Sequence, residues 1–173
     1  TKPVKPSQLH DVLAQLFWRG TDAGTMRAQL RSVHPFVSVE ARRSERILLA
    51  EDNAVNQKVA LHMLDNLGYR ADLAANGLEV LEAMERQAYD VILMDMQMPE
   101  MDGLEATRRI VQARPDAAGR PWIIALTANA MLGDRELCIA AGMDDYLSKP
   151  IKKAELERAL EQGCSRMLQR REV

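Results

Sequence analysis

The sequence predicts an α/β fold built on a parallel sheet. Three observations carry this. Short apolar runs each end on a polar or acidic residue, as strands buried on both faces do. Stretches with helical apolar spacing fill the gaps between them. The strand–helix alternation repeats five times from residue 45 to residue 165.

The first strand is Ile47-Leu48-Leu49-Ala50, which ends in Glu51-Asp52. A helix follows, in which Val59, Met63 and Leu67, with Ala60 and Leu64, recur at i and i+4, and Gly68 stops it. Tyr69 to Ala74 is a less marked strand. Leu78, Leu81, Ala83 and Met84 then mark a second helix. Tyr89 to Met94 is a strand that runs into Asp95. Leu104, Thr107, Ile110 and Val111 mark the third helix, which Pro115 closes. Trp122 to Leu126 is a strand that runs into Thr127. Met131 to Ala141 reads as a short fourth helix capped by Gly142. Asp144 to Ser148 is the last, less marked strand. The final helix runs from Ile151 through Leu156, Leu160 and Met167, and Gly163 is expected to weaken or bend its outer part.

Parallel strands joined in this way need right-handed crossovers, with helices on both faces. Five units predict a doubly wound five-stranded parallel sheet, a flavodoxin-like (βα)5 arrangement of strand order 2-1-3-4-5. Ligands of such a sheet bind beyond the carboxyl ends of the strands, at the switch point. Composition agrees with a folded globular chain: 47% hydrophobic and 28% charged residues. A formal net charge of −2 gives no general attraction for nucleic acid or for an anionic membrane surface. No apolar run approaches the roughly 18 residues of a membrane span. Cys138 and Cys164 form neither a disulfide framework nor a zinc quartet, and read as small hydrophobes in a reducing compartment. His10, His34 and His62 share no ligand spacing.

Residues 1–44 differ from the rest. Ser7 is placed to cap an extra N-terminal helix with Leu9, Val12, Leu13, Leu16 and Phe17 on one face. Residues 20–44 read as a linker. Thr1-Lys2-Pro3-Val4-Lys5, followed by Leu9 and Leu13, repeats the spacing of Ser148-Lys149-Pro150-Ile151-Lys152, followed by Leu156 and Leu160. Either the match is chance, or residues 1–19 are the end of a preceding, similar domain. The expected organisation is a remnant at 1–19, a linker at 20–44, a complete domain at 45–165 and a tail at 166–173. The opening residues have neither an initiator Met nor signal-peptide character, so an excerpt from a longer chain is expected.

Polar residues mark the predicted carboxyl ends. Glu51 and Asp52 follow the first strand, Asp95 the third, Thr127 the fourth and Lys149 the fifth. Taken singly, each has an ordinary reading: a solvated turn, a loop start, a helix cap, an exposed lysine before a helix-starting Pro150. On neighbouring strands the five side chains can converge. Three carboxylates held together repel one another and raise at least one pKa unless a cation joins them. An all-oxygen cluster suits Mg²⁺. A carboxylate beside Mg²⁺ and an ammonium group can act as a nucleophile towards phosphorus.

With those residues in hand, the chain resembles the receiver domain of two-component response regulators, of the kind attached to bacterial hybrid sensor histidine kinases. The matching segments are ILLAEDNAVNQKVA (47–60), DVILMDMQMPEMDGLEATRRIV (90–111), IIALTANAM (123–131) and GMDDYLSKPI (142–151). The resemblance implies that Asp95 is the phosphoacceptor nucleophile. It implies that Glu51 and Asp52 are the metal-binding acidic pair, with Asp95 and the main-chain carbonyl of Gln97 as further ligands of Mg²⁺. Thr127 and Lys149 resemble the phosphate-sensing hydroxyl and the lysine of the site. Tyr146 stands where the family keeps a switch aromatic that turns inward on phosphorylation. Gln97 and Asn129 stand where the lifetime of the phosphorylated form is tuned. One minor departure is Ala50, where a larger aliphatic residue is common.

The implied function is a phosphorelay receiver. A phosphohistidine on a histidine kinase core or a histidine phosphotransfer domain would donate to Asp95, through a docking face on the first helix with Val55, Val59 and Met63. The output would be a shift of the face built from the fourth helix, fifth strand and fifth helix. The repeat at residues 1–5 then suggests a second of two tandem receivers, whose N-terminal helix packs on the domain, mediates self-association or is a boundary remnant. The fragment would catalyse only its own phosphorylation and dephosphorylation, while the parent chain is a sensor histidine kinase. A cytoplasmic location is expected, with a membrane anchor an option for the parent, and no direct nucleic-acid or membrane contact by this fragment. The alternative is a pseudo-receiver that keeps the fold as an interaction module without being phosphorylated. A phosphatase with an Asp nucleophile would need a second acid two positions on, where Gln97 stands and cannot serve.

Overall fold

The computed structural model describes residues 43–116, 119–128 and 132–171. The expected N-terminal helix, most of the linker, and Asn129 lie outside the described residues. Among the described residues the order is β1 (Arg46–Ala50), α1 (Ala54–Asn66), β2 (Arg70–Ala74), α2 (Gly77–Arg86), β3 (Val91–Asp95), α3 (Gly103–Ala113), β4 (Trp122–Thr127), α4 (Leu132–Ala141), β5 (Asp145–Ser148) and α5 (Lys153–Arg171). The strands form one sheet of order β2-β1-β3-β4-β5, with every pair parallel.

Alternation along each central strand feeds two separate cores. Ile47 and Leu49 of β1, Val91 and Leu93 of β3, and Ile124 and Leu126 of β4 face one side, against Ala60 and Leu64 of α1 and Leu156 and Leu160 of α5. Leu48, Ile92, Met94, Ile123 and Ala125 face the other, against Val80 and Met84 of α2, Ala106 and Ile110 of α3 and Cys138 of α4. Both faces being covered explains why these strands read as continuous apolar runs. β2 and β5 are the sheet edges, and their partly exposed patterns explain why they were less marked in the sequence.

Local chemistry fixes the helix ends. Asn53, Asn76 and Asp102 each cap a helix through side-chain oxygens that accept backbone N–H groups. At Asn76 the Glu79 N–H donates to Asn76 Oδ1 at 2.9 Å, and Glu79 Oε2 reaches back to accept the N–H of Ala75, one residue before the cap, at 2.8 Å. Gly68 (φ 82°) and Gly142 (φ 99°) end α1 and α4 in the left-handed region. At Gly68, the Tyr69 N–H donates to Leu64 O at 2.9 Å and the Gly68 N–H to Asp65 O at 3.0 Å, a Schellman closure.

Val59, which the sequence places on the expected docking face of the first helix, is 48% exposed, and Leu78 is 40% exposed, because each lies off the stripe that meets the sheet. Gly163 does not interrupt α5, which continues to Arg171, beyond the 165 boundary and into the expected tail. A Cβ there would lie 2.8 Å from Trp122 Cδ1, so this glycine lets α5 lie directly on that indole. Pro150 starts no helix: the Lys149–Pro150 peptide is cis and α5 begins at Lys153. Arg43, read as linker, is already bound to the domain. Its N–H donates to Gly68 O at 3.2 Å and its Nη1 to the Tyr69 hydroxyl at 2.8 Å.

Cys138 and Cys164 are both buried and form no disulfide with each other, which agrees with their reading as small hydrophobes. Burial pushes the Cys164 thiol up from 9.0 to about 11. The folded state therefore holds on to a proton that the unfolded chain releases first. Stability is expected to fall as pH rises through the window from 9 to 11. Thiol titration should find both cysteines slow to react at pH 8 in the folded protein and both fast in denaturant. Rapid labelling of Cys164 in the native state would contradict this.

Candidate functional site

Because β1, β3, β4 and β5 are parallel neighbours, their carboxyl ends open at one edge of the sheet. Glu51 follows β1, and its N–H donates to Ala74 O at 3.0 Å, which fixes the chain as it leaves the sheet. Asp95 closes β3 and Thr127 closes β4, and the Lys149 N–H donates to Thr127 O at 2.7 Å. An open cleft of about 650 Å³ results, lined by Glu51, Asp52, Asp95, Gln97, Thr127 and Lys149 among others. All six residues that the sequence assigned to catalysis or metal binding thus meet in one place. Asn129 lies outside the described residues.

Glu51 (1% exposed), Asp95 (6%) and Thr127 (3%) are buried, whereas Asp52 is exposed at the rim. Lys149 Nζ lies 2.5 Å from Asp95 Oδ2 and 2.6 Å from Glu51 Oε2. Asp95 Oδ1 accepts the Gln97 N–H at 3.2 Å. One oxygen each from Glu51, Asp52 and Asp95 lie within 4.8 Å of one another. Three carboxylates against one ammonium leave an uncompensated negative hollow.

The titration behaviour follows from this arrangement. Burial raises the Asp95 carboxyl above its ordinary value, and the hydrogen bond and charge of Lys149 offset this only in part, while Glu51 raises it further. Burial pulls the Lys149 ammonium down, but its hydrogen bonds to Asp95 and Glu51 outweigh burial, so its pKa is raised on balance. The ammonium stays charged between two acids that it cannot fully neutralise. The donors are carboxylate oxygens, with soft ligands absent among them, and they are spaced for a single ion. That donor set fits a hard divalent cation such as Mg²⁺.

Tyr146 stands apart from the cleft. The residue is 38% exposed, with the Arg135 guanidinium 6.0 Å from the ring centroid. Two features of the site, and one contact at the opposite end of the sheet, were not read from the sequence. The Asn56 side-chain amide donates to Glu51 Oε1 at 2.9 Å, and Gln57 Nε2 donates to Glu51 O at 2.7 Å. Gly103 packs so tightly under Asp95 that a Cβ would lie 2.1 Å from the Asp95 carbonyl oxygen. Arg120 and Asp144 form a buried pair at 3.0 Å that ties the entry of β4 to that of β5. The Asn53-x-x-Asn56 spacing signals a helix start, but nothing in it reveals the grip on Glu51.

Comparison with known proteins agrees with this geometry. The family model described as "Response regulator receiver domain" matches residues 47–161. Histidine protein kinase 1 of Candida albicans is 40% identical over 168 residues, which is 92% of this chain and 6% of that protein. Hybrid signal transduction histidine kinase B of Dictyostelium discoideum is 43% identical over 125 residues, 67% of this chain and 6% of that protein. The chain thus spans a small fraction of these relatives. Among solved structures, the receiver domain of a sensor histidine kinase from Pseudomonas aeruginosa superposes with a TM-score of 0.63 at 52% identity, over 71% of this chain and 99% of that one. That protein was crystallised with a magnesium ion coordinated in its active-site cleft. A chain in the co-crystal structure of the Saccharomyces cerevisiae phosphotransfer protein Ypd1 with the receiver domain of Ssk1 gives a TM-score of 0.66 at 28% identity, over 71% of this chain and 91% of that one.

Proposed function

Because the chain belongs to the response regulator receiver domain family, the modules of phosphorelay signalling, we propose that Asp95 accepts a phosphoryl group from a phosphohistidine with Mg²⁺ bound in the cleft. The observation that carries this is Lys149 bridging Asp95 and Glu51, with Asp52 completing a three-carboxylate hollow. An Asp95 carboxylate oxygen attacks phosphorus in line. The new P–O bond forms as the P–N bond to the imidazole breaks, and the electron pair returns to that ring nitrogen. Glu51, Asp52, Asp95 and the Gln97 carbonyl would hold Mg²⁺, which when bound supplies positive charge to the phosphoryl oxygens. Lys149 moves from the two carboxylates to a second phosphoryl oxygen, and the Thr127 hydroxyl donates to a third. Tyr146, now facing outward, turns in as Thr127 is drawn towards the phosphoryl group, which shifts the surface of α4, β5 and α5. Gln97, two residues after the acceptor, and Asn129, two residues after Thr127 in the sequence, set how long the phosphorylated form lasts.

The donor is a histidine phosphotransfer domain or a kinase core. It docks beside the cleft, where Val55 and Val59 of α1 are exposed next to a groove that includes Pro150 and Ile151. We read residues 1–19 as the end of a preceding receiver-like domain, an assignment supported by the internal repeat; the Candida kinase match also reaches beyond residues 47–161. Self-association through that segment is a further proposal. Among the described residues no helix is long and apolar enough to cross a membrane. Two buried cysteines left as thiols fit a reducing, cytoplasmic compartment for the module. The pseudo-receiver alternative is not favoured, since the acidic pair, acceptor, hydroxyl and lysine all line one cleft.

Incubation with acetyl phosphate and Mg²⁺ should add one phosphoryl group by intact mass, and excess EDTA should abolish the adduct. An adduct that forms equally well in EDTA would overturn the role given to the carboxylate hollow.

A further inference from the structure

Glu51 is the longest and most buried of the three acids, and its extra side-chain torsion gives it more freedom to swing than an aspartate has. Both its oxygens are nonetheless engaged. Oε2 faces Lys149 at 2.6 Å. Oε1 accepts the Asn56 side-chain amide at 2.9 Å and, at greater length, the Asn53 N–H at 3.3 Å. The two grips differ in kind. Lys149 belongs to the reacting centre and, in the function proposed above, leaves for a phosphoryl oxygen. Asn56 sits in the first turn of α1, where its own N–H is held by the capping Asn53 Oδ1 at 3.2 Å. The neighbouring Gln57 anchors the Glu51 carbonyl to the same turn.

We propose that Asn56 is a positioning residue of the metal site: its side-chain amide fixes Glu51 Oε1, so that Oε2 is the oxygen presented to Mg²⁺. This rests on the reading of the cleft as a magnesium site. A partner that orients a ligating carboxylate typically carries 10–100-fold in metal affinity. Asn56 is itself exposed and lines the cleft rim, so its replacement opens no cavity in either core. Removing it frees Glu51 to rotate once Lys149 departs, and ordering it again then costs binding free energy of the ion.

Calorimetric titration of Mg²⁺ into the intact protein tests this with Asn56→Ala, with Asn56→Leu, which keeps the volume and loses the donor, and with Asn66→Ala at the far end of α1 as a control. Both Asn56 variants are expected to bind Mg²⁺ about tenfold more weakly or worse, with Tm within about 3 °C of the parent. The control should match the parent. Phosphorylation of the Asn56 variants by acetyl phosphate should recover to within about threefold at saturating Mg²⁺, since the acceptor and its lysine are intact. Unchanged affinity in both variants overturns the proposal. So does loss in Asn56→Ala with retention in Asn56→Leu, which would make volume the cause, and so does a rate that saturating Mg²⁺ does not restore. A parent protein that binds no Mg²⁺ overturns the reading of the cleft itself, and this proposal with it.

Discussion

Replacing Asp95 by Asn is expected to abolish phosphoryl uptake, by more than about a thousandfold, because the amide has no anionic oxygen to attack phosphorus. The check is intact-mass detection of the adduct after treatment with acetyl phosphate and Mg²⁺. A substantial residual adduct would mean that another side chain is the acceptor. The same substitution should leave the fold as stable as before or more so. Burial raises the Asp95 carboxyl, so its charged form is disfavoured in the native state. This penalty applies at pH above the raised value and disappears as acid protonates the group. Asn removes it at every pH, and Glu51 remains as a partner for Lys149. Function and stability are thus opposed at this position, as expected for a site that gathers like charges for chemistry.

Replacing Gly103 by Ala is expected to have the largest effect on stability of any single methyl addition considered. The added Cβ would fall 2.1 Å from the Asp95 carbonyl oxygen and 2.9 Å from Met94 Cγ. The first of these is backbone at the end of a central strand, and it cannot rotate away as a side chain would. Helix α3 must therefore move off the sheet, breaking the Gly103 N–H bond to Met96 O at 3.1 Å. A loss of about 3 kcal/mol is expected, near the upper end for overpacking, read as a lower midpoint in urea. The displacement reaches Asp95 and Gln97, so Mg²⁺ affinity should fall as well. Gly119→Ala is the contrast: nothing lies within 4 Å of its added Cβ, and stability should change by less than about 0.5 kcal/mol. Equal stability of the two variants would refute the packing argument.

The strands that were most legible are those whose surroundings are most uniform. β1, β3 and β4 are covered on both faces, so nearly every residue had to be apolar and the runs stood out. β2 and β5 lie at the edges, and solvent relaxes the demand on alternate residues. Helical spacing located α1 and α2 but not the orientation of every side chain. Val59 and Leu78 share the periodicity of their helices yet face outward, since period alone does not say how wide a stripe the sheet covers.

The sequence by itself determined the alternation, the parallel order and the set of acids, hydroxyl and amine at the strand ends, because all three follow from local period and from the rule that parallel strands end together. Only the tertiary structure decided that Asn56 grips Glu51, that Gly103 admits no methyl group beside Asp95, and that Arg120 reaches Asp144. Those are contacts made in space between side chains and backbone atoms whose distances depend on how helices seat on the sheet. No periodicity along the chain encodes a separation of a few ångströms across it.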